Sequence, residues 1–192
     1  AITIGGFSFS FSEGFHPHPK ISFPYALPVG IESLGEYADI QLRLYRGPAD
    51  DFIARVNSSL PEGITILHAE TIAPHNPSLS SLIEGFDYRI CLPQGTGPFS
   101  TEKIETFLSS DTFPVSRYKK GGTAVKDIRP LVTELSINSS GDFLALSTRF
   151  DPAGGVKPFE ILTQVLGYDD DTAKRARVIK TRVRRKNELP NT

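Results

Sequence analysis

Between residues 86 and 184 the apolar spacing switches repeatedly from a period of two to one near 3.6, which restricts the chain to a mixed helix–strand fold. Phe86, Tyr88, Ile90 and Leu92 take every second position and Pro93 ends the run, as in a strand with one buried face. Ser100-Thr101-Glu102-Lys103 then opens a helix with Ile104, Phe107 and Leu108 on one stripe. Residues 115–119 and 123–128 predict a hairpin about Lys119-Lys120-Gly121-Gly122, whose paired glycines supply positive φ angles. Residues 131–137 and 143–150 predict a second hairpin across Asn138-Ser139-Ser140-Gly141-Asp142. A helix over residues 157–166 has Phe159, Leu162, Val165 and Leu166 facing inward and stops at Gly167.

With the inserted hairpin set aside, this order is β-α-β-β-α-β, the ferredoxin-like pattern. Upstream, residues 7–12 alternate Phe and Ser, and residues 21–23 make a short second piece. Residues 36–45 alternate with Ile40, Leu42 and Leu44 on one face. A helix begins at Gly47-Pro48-Ala49-Asp50-Asp51 with Phe52, Ile53, Val56 and Leu60 as its stripe, and residues 64–70 predict a further strand. That order is the second part of the same pattern. The sequence therefore predicts an α+β protein of two tandem ferredoxin-like halves with antiparallel sheets. Residues 1–77 form the first half, lacking its opening strand and helix, and residues 78–192 the second.

The formal net charge of −1 hides an asymmetry. Eight of the 21 basic residues lie between Lys174 and Lys186 with no acid among them, leaving thirteen basic against all 22 acidic residues elsewhere. Alternation on both sides of Val178-Ile179 predicts an edge strand here, with Arg177, Lys180, Arg182 and Arg184 as a phosphate-binding stripe. The alternative is a solubilising tail. No apolar run approaches the ~20 residues of a spanning helix. No secretory leader is legible, and a lone Cys91 fits a reducing cytoplasm, so the expected location is cytoplasmic. The chain holds no Met, even at position 1, from which a processed or incomplete start is expected.

Ser12-Glu13-Gly14-Phe15-His16-Pro17-His18-Pro19-Lys20 sets two histidines before prolines, which holds both extended and confines the segment to an edge or loop. Together with Ile21-Ser22-Phe23, Ala26-Leu27-Pro28-Val29-Gly30-Ile31-Glu32-Ser33 and Glu36-Tyr37, this block resembles the radical SAM-linked protein family. That group is a bacterial domain found beside or fused to radical S-adenosylmethionine enzymes. The likeness continues through Leu60-Pro61-Glu62-Gly63 and Gly155-Val156-Lys157-Pro158-Phe159-Glu160. Members usually carry a further strand and an Arg-rich helix ahead of the block. The resemblance implies a radical SAM protein as partner, and the genome neighbourhood of the family implies a role connected with RNA.

His16, His18 and Lys20 have three readings, in order of preference: phosphate or substrate contact, a structural corner in which Phe15 packs, or general acid–base catalysis by a histidine near neutrality. As metal ligands the histidines stand ~6.5 Å apart on an extended chain, but zinc needs three or four ligands and only His68, His75 and Cys91 remain. Neither metal nor cofactor is expected. Lys119 and Lys120 at the hairpin tip suit a nucleic-acid groove or simply solubility. Asp151-Pro152-Ala153-Gly154-Gly155-Val156-Lys157 matches no phosphate-binding fingerprint and reads as a plain β–α turn. The Phe7, Phe9 and Phe11 stripe is expected in the core rather than as a base-stacking surface. Three functions follow: an RNA-binding accessory module for a separate radical SAM enzyme, a metal-independent ribonuclease or RNA-modifying enzyme using His16 or His18, or a protein-binding adaptor.

Overall fold

Glycines at residues 5 and 6 let the chain reverse at once, because both hold positive φ (58° and 77°). In this computed structural model, which describes residues 3–73, 75–119 and 121–186, the reversal pairs β1 (Thr3–Ile4) with β2 (Phe7–Ser8). The chain divides into two compact units, one of Ala1–Tyr25 with Tyr37–Ser81, the other of Ala26–Glu36 with Leu82–Thr192. Residues 26–36 thus go with the second unit, and the other division falls between Ser81 and Leu82.

In the first unit, β3 (Ile21–Ser22) precedes β4 (Ile31–Ser33), a strand of the second unit, and pairs antiparallel with β5 (Asp39–Ile40). Single bridges link Phe9 to Leu42 and Phe11 to Pro19. Helix α1 (Ala49–Asn57) places Asp50 and Asp51 in its first turn, where the helix dipole favours acids. Its Phe52 and Val56 are buried with Phe7, and Ile40, Leu42, Tyr45, Ile53, Leu60 and Ile66 close around them. Phe7 and Phe9 are buried, as the core reading of that stripe requires.

Two expectations fail here. Leu44 does not continue the Ile40–Leu42 face: at φ 57° it turns outward to full exposure, and Tyr45 packs inward in its place. Residues 64–70 form no ladder among the described residues. The Asn57 side chain satisfies Ile66 instead, donating to its carbonyl (3.0 Å) and accepting from its N–H (2.7 Å). The expected four-element half is therefore a set of two-residue ladders and bridges over one helix.

Helix α2 (Leu79–Leu82) runs to the division between the units, and the second unit continues with β6 (Ile83–Cys91). Then come α3 (Thr101–Ser109), the hairpin β7 (Pro114–Lys119) and β8 (Gly122–Asp127), and the pair β9 (Val132–Ile137) and β10 (Leu144–Arg149). Helix α4 (Pro158–Glu160) widens into a π-turn over Ile161–Val165, followed by α5 (Asp170–Arg175) and β11 (Arg177–Arg185). One five-stranded sheet has the order β4-β11-β6-β10-β9, parallel between β4 and β11 and antiparallel elsewhere. Tyr88, Ile90, Leu144, Leu146 and Val178 meet Ile104, Phe107, Ile161 and Leu162 of the helices to form the main core. The π-turn shifts the stripe from the expected phase, so Phe159 is exposed while Ile161 is buried. Among the described residues no helix is long and apolar enough to cross a membrane.

β11 lies inside the sheet, not at its edge, over the three residues that β4 covers. Two close fits fix this unit. A side chain on Gly85 would fall on the Thr148 carbonyl oxygen and within 2.5 Å of Arg184 Nη2, which crosses β6 to donate to that carbonyl (2.8 Å). Arg117 of β7 forks onto both oxygens of buried Glu160 (2.7 Å each), donates to the Gly155 carbonyl (2.7 Å), and so bolts the hairpin to the loop before α4.

Gly85→Ala should lower stability by about 1–3 kcal/mol, the range for a side chain forced into filled space, seen as a lower urea midpoint at unchanged slope. Arg117→Met should be destabilising by about 3–5 kcal/mol because it leaves the Glu160 carboxylate buried alone, whereas Arg117→Met with Glu160→Met should recover much of that loss. A double variant as unstable as the single one would contradict the uncompensated-charge account.

Candidate nucleic-acid interface

The histidine–proline segment is a closed loop. Ser12 N–H donates to the His18 carbonyl (2.9 Å), His18 N–H donates to Ser12 Oγ (3.0 Å), and Lys20 N–H donates to the Ser10 carbonyl (2.8 Å). Gly14 turns the chain at φ 136°, and Pro17 and Pro19 stiffen the return. Phe15, His16, His18 and Lys20 are all exposed, Phe15 at 103%. The structural-corner reading is thereby corrected: Phe15 packs on nothing, because the loop closes beneath it through backbone bonds.

The closing strand differs from the expected stripe. Thr181 is an extra residue opposite β6: Lys180 faces Tyr88, and the next partners are Arg182 and Asp87. This bulge puts Val178, Lys180 and Val183 on one face despite their odd spacing. Lys180 is consequently buried (1% exposed), its ammonium 2.8 Å from Glu36 Oε1 and 4.9 Å from the Phe86 ring centre. Ser33 Oγ also donates to Glu36 Oε1. Burial pushes the neighbouring Tyr88 hydroxyl well above an ordinary phenol, and the Glu36 and Asp87 carboxylates add to it. Lys180 is thus withdrawn from solvent and paired with Glu36.

Arg177 is exposed but forks onto Glu32 (2.9 Å twice), and those hydrogen bonds hold the Glu32 carboxyl below the usual carboxylate range. Arg184 lies 3.3 Å from Asp87 and is half-buried, as is Arg182 opposite Asp87. Three cations of the run, Arg177, Lys180 and Arg184, are matched inside their own unit by acids of β4, the segment after it and β6.

At the hairpin, Lys119 pairs with Gly122 as the last register pair of β7, and Lys120 lies outside the described residues. Tyr118 on the outer face is 94% exposed, and Val125, diagonally across the ladder, is also exposed. The inner face is anchored by Arg117 and by the ion pair of Lys126 with Asp151. In the loop before α4, Ala153 N–H donates to Asp151 Oδ1 (2.8 Å) and Lys157 N–H to Glu160 Oε2 (3.2 Å), so the loop serves itself. Among the described residues no three His, Cys, Asp or Glu side chains gather as a metal centre requires.

Sequence reasoning missed Phe15 and Tyr118 as surface groups and Glu32 and Glu36 as partners of the basic strand. A signal existed for Phe15, since a large apolar residue between Gly14 and His16 in a proline-bounded loop has no periodic face to join. None existed for the glutamates, which lie 145 and 144 residues from Arg177 and Lys180.

No curated protein and no solved structure matches this chain. Residues 3–158 match the family described as "Uncharacterized protein conserved in bacteria" (DUF2344). The matched part takes in the histidine–proline loop, β4 with Glu32 and Glu36, the β7–β8 hairpin and the sheet as far as β10. With that much of the chain covered, the protein belongs to this bacterial family.

Proposed function

We propose that this protein is a non-enzymatic RNA-binding accessory module that presents RNA to a separate radical SAM enzyme. The observation that carries the reading is the closed loop from Ser12 to Lys20, with both imidazoles and the Lys20 ammonium exposed on a backbone already fixed by its own hydrogen bonds. A loop ordered before binding loses little conformational freedom on contact, which favours affinity from few groups. Exposed imidazole N–H groups and an ammonium suit phosphate oxygens, the contacts that position RNA without reading its sequence. The second part of the reading, the radical SAM partner, rests on the resemblance of the same loop and its flanks to radical SAM-linked proteins.

The fold supports this at one further point. The order β11-β6-β10-β9 with antiparallel neighbours and intervening helices is what a ferredoxin-like half requires, and this architecture is shared by many single-strand RNA readers. We assign that architecture to the second unit alone.

Filter binding to transfer and ribosomal RNA across a salt series tests the proposal. The logarithm of the association constant should fall with that of salt by about 0.7 per phosphate neutralised on a single strand, a slope of roughly −1.5 to −2 for two or three contacts. Substituting His16, His18 and Lys20 together by Ala should flatten the slope and weaken binding. Absence of RNA binding at low salt sinks the reading. Capture of the radical SAM protein that survives ribonuclease treatment identifies the chain as a protein adaptor instead.

A further inference from the structure

Among the described residues, Phe15 and Tyr118 are fully exposed aromatic side chains on backbone that hydrogen bonds and ion pairs hold in place. Phe15 stands at the tip of a loop closed by Ser12 and His18 and bounded by two prolines. A fully exposed phenylalanine forfeits the free energy that burial of such a side chain contributes, and the structure shows no core need for it there. Tyr118 lies on the outer face of a ribbon whose inner face is fastened by a bidentate Arg117–Glu160 pair and by Lys126 with Asp151. Val115 at the base of β7 is completely buried, which adds a third anchor to the ribbon. Each ring therefore has both faces open to a flat partner while its backbone is held.

Resting on the RNA reading above, we infer that the ligand is unpaired RNA, with Phe15 and Tyr118 each acting as a stacking platform for an exposed base. In an A-form duplex the base faces are covered by their neighbours and only groove edges and phosphates are offered, so an isolated aromatic ring gains little from it. A single strand offers base faces, each of which an open aromatic ring can cover without breaking a base pair. The two platforms belong to different units, and each stands on its own observation.

The test compares a short labelled oligouridine with a blunt-ended RNA duplex of similar length, at one fixed low salt, against the intact chain. The single strand should bind at least tenfold more tightly. Phe15→Ala and Tyr118→Ala should each lower its affinity roughly 5- to 150-fold, the range found when one base–aromatic stack is removed. Phe15→Trp and Tyr118→Phe should retain binding, because the ring and not the hydroxyl is what stacks; circular dichroism confirms that each variant is folded. Equal or tighter binding of the duplex overturns the inference, as does indifference to both alanine variants, and in either case salt-dependent RNA binding leaves the accessory-module reading standing. If neither RNA binds, that reading fails and this inference fails with it.

Discussion

The antiparallel ladder between β6 and β11 is the interaction on which the second unit depends, and the extra residue Thr181 is what decides its chemistry. Without the bulge, alternation places Val178, Lys180 and Arg182 on one face and Ile179 with Val183 on the other. With it, Val183 joins the face of Val178 and Lys180, and Arg182 moves to the side of Asp87. An ammonium thereby enters the protein interior, where the desolvation penalty is several kcal/mol per ion unless a partner compensates. Glu36 is that partner, itself held by Ser33, and the Phe86 ring face adds attraction. Residues 26–36 are therefore bound to the sheet by more than the three ladder pairs of β4: Arg177 with Glu32 and Lys180 with Glu36 fasten the segment at two heights along β11.

Those pairs explain why charge counted along the sequence misjudged charge at the surface. A run of eight cations reads as a polyanion site only if its counter-charges lie elsewhere in space. Here Glu32, Glu36 and Asp87 come from distant parts of the chain and meet Arg177, Lys180 and Arg184 directly. The strand was legible because its valines carry a local pattern. The bulge was not, since a two-against-one register is a property of two strands and leaves no mark in either alone. β4 was illegible for the same reason: three residues paired in parallel have no length over which a period can show.

Elsewhere the sequence was a good guide wherever the controlling forces are local. The helix from Thr101 to Ser109 with its Ser100 cap, both hairpins of the second unit, and β6 follow from periodicity, capping and glycine turns acting within a few residues. The first unit was harder because its ladders are two residues long and its main expected strand is replaced by one Asn57 side chain. The histidine–proline segment falls between these cases. Its extended backbone and loop placement were legible, being dictated by covalent geometry. The exposure of Phe15 depends on the loop closing through Ser12 and His18 beneath it, and that closure belongs to the folded chain.

The same pairing sets the energetic character of any RNA contact. Counterion release, and with it the steep salt dependence of many nucleic-acid binders, requires cations not already matched by protein acids. A chain that ties Arg177 to Glu32 and Lys180 to Glu36 has removed two of its strongest candidates from that role. Phosphate attraction at this strand must first break a bidentate pair or uncover a buried ion, each opposed by the partner left behind. If the chain binds RNA as proposed, the affinity comes mainly from groups outside the sheet, where short-range stacking is less sensitive to salt than charge is. Base stacking is tolerant of sequence. On the reading proposed above, unpaired RNA would be held by position, with the choice of nucleotide left to the enzyme that acts upon it.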